Sequence, residues 1–228
     1  PDPRTDGAGI ARLRAAGIDV VTGVRAAEAE TAVAGFMMRQ RLGRPHVTLK
    51  LALSLDGRIA LPDGSSRWIT GPEARTHGHL ERARCDLIVV GRGTFDADAP
   101  RLDVRLPGLA ERSPRRALLT HGRAPEGWER LSSPAAIAAI DQIDHVLVEG
   151  GAGAAAAFLE ADLVDRLLVY RAPILIGEGR AAIGDIGLAD LASAHGRWKI
   201  IDTRTLGSDR LDVYERVRGE SHVHRNHH

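Results

Sequence analysis

Two short apolar runs govern what this chain can fold into. Asp86-Leu-Ile-Val-Val-Gly91 and His145-Val-Leu-Val-Glu-Gly150 carry apolar residues at consecutive positions, and each ends on glycine. A run too short for a helix and apolar on both faces belongs inside a parallel sheet covered on both sides. From Pro45 onward, runs of this kind alternate with helical segments. Strands are predicted over 46–55, 86–91, 115–120, 145–150, 164–177, 198–203 and 210–217, and helices near 72–84, 134–140 and 153–161. Such alternation implies an α/β domain, a doubly wound and mostly parallel central sheet flanked by helices. Only Arg204-Thr-Leu-Gly-Ser-Asp209 separates the last two strands, which reads as a C-terminal antiparallel hairpin.

Composition excludes several function classes. With 43% hydrophobic residues the chain can bury a core. A net charge of +1 leaves no electrostatic footprint for nucleic acid. No apolar run approaches the roughly 18 residues of a membrane span. Cys85 is the single cysteine, which removes disulfide frameworks and cysteine-based zinc sites and is compatible with a reducing cytosol.

Residues 5–42 read as helix, short strand (Ile18-Asp-Val-Val-Thr-Gly-Val24) and helix, too little for a core of their own. Gly43-Arg-Pro45 breaks the pattern and reads as a linker, which divides the chain into 1–44 and 45–228. The first residue is not Met and lies in loop-like sequence, as expected of a chain cut from something longer. The polar, His-rich tail from about 219 reads as a frayed terminus.

In an α/β sheet, ligands settle at the carboxyl ends of strands, where loops lead into helices. A helix N-terminus there offers free N–H groups and about half a positive charge, which suits phosphate. Gly150, Gly151 and Gly153 sit at such a turn, with a helix starting near Ala152–Ala154. Glycine there lets backbone approach a ligand, or simply allows a tight turn. Gly91 and Gly93 form a second turn of the same kind, so the two together point to a shared crevice. Neither is a P-loop, and Asp96 occupies the place of the third Rossmann glycine.

Polar residues within these apolar runs are the other candidates. Lys50 interrupts Val47-Thr-Leu-Lys-Leu-Ala-Leu53, so it faces either a polar cleft or an exposed sheet edge. Glu149 stands at the ligand-binding end of its strand. Arg82 lies on a helix opening at Thr70-Gly-Pro-Glu73, and Arg105 follows the 96–105 loop; two arginines near one pocket suit a phosphate monoester. His77 and His79 are two apart on a helix and cannot share a metal. No nucleophile–base motif is present.

The stretches VTLKLALSLDGRIA (47–60), SSRWITGPEAR (65–75), LERARCDLIVVGRGTFDADAPRLDVR (80–105) and HVLVEGGAGAAAAFLEADLVDRLLVYRAPILIG (145–177) together resemble one family. It is the reductase domain of the bifunctional riboflavin-biosynthesis deaminase/reductase, and the resemblance runs from about Arg44 to Val217. Residues 1–44 resemble the end of that protein's cytidine-deaminase-like domain. The resemblance implies a dihydrofolate-reductase-like fold, a cytoplasmic homodimer, and NADPH-dependent reduction of the ribosyl group of 5-amino-6-(5-phosphoribosylamino)uracil. It implies that Ala52, Trp68, Thr94, Asp98, Gly150, Gly151, Ala152, Gly153 and Ala154 line the cofactor site. Ser66, Thr70, Arg82, Leu102, Arg105 and Glu149 match substrate positions, and Lys50, Asp98 or Glu149 assists ring opening or proton delivery. The deaminase zinc site needs a P-C-x-x-C, which a chain with one cysteine cannot supply, so neither zinc nor deamination is expected.

Two departures lie beside the phosphate arginines. Asp98-Ala99-Pro100 stands where the family has Asp-Asp-Pro, and Asp103 replaces a usual Thr. An added carboxylate there weakens phosphate affinity by like-charge repulsion. The competing readings are a related reductase acting on another pyrimidine or pterin, and a non-catalytic nucleotide-binding module.

Overall fold

The computed structural model describes residues 7–218. The His-rich tail lies outside them. Ten strands and six α-helices follow in the order α1 (Ala8–Ala15), α2 (Ala26–Ala32), α3 (Ala34–Leu42), β1 (His46–Leu53), β2 (Arg58–Ala60), α4 (Pro72–Ala83), β3 (Leu87–Gly91) and α5 (Arg92–Asp98). Then come β4 (Arg115–Leu119), β5 (Glu129–Leu131), β6 (His145–Val148), α6 (Ala152–Glu160), β7 (Arg166–Arg171), β8 (Arg180–Ala181), β9 (Trp198–Leu206) and β10 (Asp209–Arg216). Eight strands make one sheet in the order β5-β4-β3-β6-β1-β7-β10-β9. The first six are parallel; β10 runs antiparallel to both β7 and β9. The expected parallel sheet with a C-terminal antiparallel hairpin is therefore present.

Strand β1 shows how the sheet sorts its two faces. Val47, Leu49, Leu51 and Leu53 are buried in the larger core with Leu87, Val89, Val146, Val148 and the α6 residue Phe158. Thr48, Lys50 and Ala52 alternate to the opposite face, as strand geometry requires. There α4 lies over Leu168, Tyr170 and Leu211, while Leu102 packs on Ile88, Val90 and Leu147. Because β1 lies between β6 and β7, Lys50 is in mid-sheet and the edge-strand reading fails.

Several predicted elements differ, each for a local reason. Residues 18–24 form no strand: Gly17 and Gly23 take positive φ, Val21 is 81% exposed, and no strand among the described residues pairs with them. The helix over 26–42 divides at Val33. Residues 134–139 form a 3₁₀ turn opened by Pro134, not an α-helix. The long strand over 164–177 stops at Arg171 before Pro173, and the N–H groups of Ile176 and Gly177 go to the Asp56 carboxylate instead. Helix α5 and the short strands β2, β5 and β8 were not expected.

Arg44 and Pro45 of the Gly43-Arg-Pro45 break are buried. Gly43 ends α3 with φ +67, and Arg44 grips Asp165 with two nitrogens at 2.7 and 2.8 Å. Asp165 also accepts the Val47 N–H at 2.9 Å. Helix α3 is fastened too, since the Arg39 guanidinium donates to the carbonyls of Ala138, Ile140 and Ile143. At the other end, Asp209 accepts the Gly71 N–H at 2.6 Å, so the first residue of β10 caps the start of α4. A two-residue hairpin loop sets that contact, with Gly207 at φ +64.

Burial raises the Asp165 carboxyl, but the Arg44 fork and the Val47 N–H outweigh it and hold the group below the ordinary carboxylate value. A depressed carboxylate stabilises fully above its unfolded pKa, about 4, and loses that contribution as pH falls through the folded value. Arg44→Ala removes the fork and leaves Asp165 with Arg218, 3.1 Å away, and the Val47 N–H, and is expected to cost about 1.5–3 kcal/mol at neutral pH. Urea unfolding across pH checks this: the gap between wild type and variant should shrink below about pH 4. A gap independent of pH contradicts it.

Candidate functional site

The carboxyl ends of β1, β3 and β6 meet under α4 and beside the start of α6, and the polar residues of the apolar runs converge there. Glu149, one residue beyond β6, has a side chain only 9% exposed. Arg82 of α4 grips it with Nε at 2.7 Å and Nη2 at 2.8 Å, and Lys50 of β1 donates from Nζ at 3.4 Å. Burial alone would raise this carboxyl. Lys50 and Arg82 overcome that and hold it at about 2, so Glu149 is a carboxylate throughout the neutral range. Gly78 of α4 faces Lys50, its Cβ position lying 3.9 Å from Lys50 Cε. The Lys50 ammonium also lies 5.8 Å from the centre of the Tyr170 ring.

The 99–105 loop closes over this group. It starts with two non-glycine residues at positive φ, Ala99 at +40 and Leu102 at +56, and Leu102 is buried. Its Asp103 carbonyl accepts from Arg82 Nη1 and lies 3.1 Å from His79 Nδ1. Arg105 lies against the other side of the His79 ring, with Nε 3.4 Å from His79 Nε2. Asp103 turns its carboxylate to Arg101 at 2.9 Å, with Arg105 Nε at 3.8 Å. The added carboxylate thus faces the arginines and partly neutralises them.

The glycines divide into two kinds. A Cβ on Gly150 would lie 2.6 Å from Ala154 Cβ, and one on Gly91 would lie 3.2 Å from the same atom. These two glycines let the turns pack against α6. Gly153 and Gly93 have nothing within 4 Å of their Cβ positions, so open space lies over the start of α6 and of α5. Helix α6 has Gly151 as N-cap and no side-chain cap, which leaves its first N–H groups free for an anion. Thr94 joins the two turns, its hydroxyl accepting the Gly151 N–H at 2.8 Å.

Lys50, Arg82 and Glu149 are in direct contact, and Leu102 and Arg105 belong to the loop around them. Gly150, Gly151, Ala152, Gly153, Ala154 and Thr94 form the neighbouring turn. Asp98 is held instead by Arg67, Nη2 lying 3.5 Å from its Oδ1. Trp68 is 65% exposed beneath the Arg75 guanidinium, 4.6 Å from its ring centre. Thr70 is buried, and its carbonyl accepts from Arg75. Ser66 is partly buried in the 61–70 loop, and Ala52 is half-buried near the end of β1.

His79, which cannot share a metal with His77, lies instead between the Asp103 carbonyl and Arg105. Its spacing from Arg82, three residues on one helix face, was the available signal. His77 turns elsewhere, with Nδ1 2.7 Å from the Tyr170 hydroxyl. Among the described residues no group of three His, Cys, Asp or Glu is arranged to hold a metal, and no helix is long and apolar enough to cross a membrane. A cavity of about 800 Å³ opens at the opposite end of the strands between His46, His145, Arg112 and Arg166.

Comparison with known proteins agrees with this geometry. The model of the RibD C-terminal domain matches residues 45–129 and 130–211. The riboflavin biosynthesis protein RibD of Mycobacterium tuberculosis is 39% identical over 223 residues, covering 90% of this chain and 65% of that protein. The chain thus spans just under two thirds of that relative's length. A solved deaminase/5-amino-6-(5-phosphoribosylamino)uracil reductase from Thermotoga maritima superposes with a TM-score of 0.82 at 27% identity, over 95% of this chain and 69% of that one. Dihydrofolate reductase from Enterococcus faecalis shares the fold alone, with a TM-score of 0.57 at 18% identity over 76% of this chain and 97% of that one. The chain belongs to the RibD C-terminal domain family.

Proposed function

We propose that the chain is the NADPH-dependent reductase that converts the ribosyl group of 5-amino-6-(5-phosphoribosylamino)uracil to ribityl. The observation that carries this is the buried Lys50–Glu149–Arg82 group beside an uncapped helix start with open space over Gly153. The residues fit a dinucleotide. The α6 N–H groups and the Gly93 and Gly153 clearings would hold its phosphates, with Thr94, Trp68, Ala52 and Asp98 along its length. When bound, the nicotinamide supplies a hydride.

The remaining work falls to the chain's own side chains. Arg105 and Ser66 hold the phosphate end of the substrate, and the Leu102 backbone turn shapes the wall between. Glu149, fully ionised, accepts hydrogen bonds from substrate but holds no proton to give. Lys50 Nζ therefore holds the proton that passes to the ribosyl ring oxygen as the C1′–O bond opens, the glycosidic nitrogen keeping its hydrogen as a protonated imine. Glu149, 3.4 Å away, holds Nζ in place. Asp98, tied to Arg67, serves the cofactor rather than the proton transfer.

Oxidation of NADPH in the presence of the phosphoribosylaminouracil tests this directly. Lys50→Met is expected to lower kcat by about 10²-fold or more, and Asp98→Asn by much less. Unchanged kcat in Lys50→Met removes the proton-donor role, and no substrate-dependent oxidation in the wild type removes the reading as a whole.

The two kinds of glycine make a separate prediction. Gly153→Val should weaken NADPH binding by about ten-fold or more while leaving the melting temperature of the free protein nearly unchanged, since the clearing is filled without a clash. Gly150→Ala should destabilise the fold itself by about 1–3 kcal/mol through overpacking on Ala154. Thermal unfolding with and without NADPH separates the two effects. Equal loss of stability in both variants contradicts the assignment of the clearing to cofactor.

A further inference from the structure

The ring of His79 lies between the Asp103 carbonyl, 3.1 Å from Nδ1, and Arg105, whose Nε–H points at Nε2 from 3.4 Å and whose backbone N–H lies 3.3 Å from Nδ1. A carbonyl only accepts and an arginine N–H only donates, so these contacts choose among the ring's protonation states. With the hydrogen on Nδ1, the ring donates to Asp103 and accepts from Arg105 Nε, which satisfies two contacts and opposes only the Arg105 backbone N–H. With the hydrogen on Nε2, it accepts only the Arg105 backbone N–H and opposes the other two groups. The imidazolium donates to Asp103 but turns a second N–H and a positive charge toward Arg105.

The charged groups around the ring favour the same state. Arg82 faces it from α4, Arg105 and Asp103 from the loop, and Glu149 from the end of β6. Burial first, then the guanidiniums of Arg82 and Arg105, push the imidazole below its ordinary value, so it is neutral at neutral pH. The ring thus has one free lone pair, and Arg105 Nε occupies it. The terminal nitrogens of Arg105 find no hydrogen-bond partner among the described residues, and the side chain is 56% exposed.

We propose that His79 is a positioning residue: as its Nδ1–H tautomer it fixes Arg105 by Nε, leaving both terminal nitrogens aimed outward at the phosphate of the substrate. This rests on the reading of Arg105 as a phosphate ligand. It makes the affinity for a phosphorylated substrate depend on the protonation of a residue that never touches it. As pH falls through the His79 pKa the lone pair is lost and Arg105 is released, so KM rises on the acid side while kcat follows other groups.

Two measurements on the whole chain test this. Long-range ¹⁵N–¹H NMR of the imidazole rings reads the tautomer without substrate or turnover, with His79→Gln identifying the signal. A hydrogen on Nδ1 at neutral pH is expected; one on Nε2, or a charged ring, overturns the proposal. In steady-state reduction, His79→Leu should raise KM about ten-fold or more with little change in kcat. His79→Gln should restore KM, because an amide can donate to Asp103 and accept from Arg105 together. The acid-side rise in KM should be smaller in His79→Gln than in wild type, the remainder being titration of the substrate phosphate. Equal KM values in the Leu and Gln variants, or equal pH profiles in wild type and Gln, overturn the proposal. An unchanged KM in Arg105→Ala overturns instead the reading on which it rests, even if the tautomer is as stated.

Discussion

Everything near the site is organised by one buried negative charge. Taking a carboxylate out of water costs several kcal/mol, and Glu149 stands at the end of a central strand with nearly all its surface covered. It is tolerable there only with cations delivered from two other elements. Lys50 comes from the neighbouring strand and Arg82 from the helix above, so β1, β6 and α4 are held in one arrangement by electrostatics as well as by packing. Arg82 carries the constraint outward, since its remaining nitrogen holds the Asp103 carbonyl and with it the loop that bears Arg105. A mid-sheet lysine that looks like a folding liability is thus the counter-charge that lets the strand end on a carboxylate.

The glycine turns show a division of labour that a motif does not express. Gly91 and Gly150 face inward and allow α6 to settle on the sheet, whereas Gly93 and Gly153 face outward and leave the starts of α5 and α6 bare. Tight packing and open space thus alternate within the same few residues. The first kind is a condition for the second, because the free N–H groups of α6 are aimed only once the helix is seated.

Strong local signals in the sequence were reliable guides. Apolar runs at 86–91 and 145–150 became adjacent central strands, and the pattern of β1 placed Lys50 on the face opposite the main core. What failed had no local signature. Residues 18–24 have the composition of a strand but no partner, and pairing is decided elsewhere in the chain. The run over 164–177 looks continuous, yet Pro173 and the distant Asp56 claim its second half. The candidate site was legible by residue type and by resemblance, but the pairing of Glu149 with both Lys50 and Arg82 was not, because those three residues meet only through the sheet order. The place of His79 has no local signature either, because its partners are a backbone carbonyl and an arginine on a distant loop.

The cap that Asp209 places on Gly71 joins the last strand pair to the start of the helix carrying His79 and Arg82. The chain emerges from the ribosome N-terminus first, so β1, α4 and β6 exist long before β10 does. Until the hairpin turns at Gly207 and Asp209 arrives, α4 has neither its cap nor the surface of Leu211 and Val213 beneath it. The nascent chain therefore carries every residue of the Lys50–Arg82–Glu149 group without the framework that sets their spacing. Assembly of the site waits on residues that take no part in it.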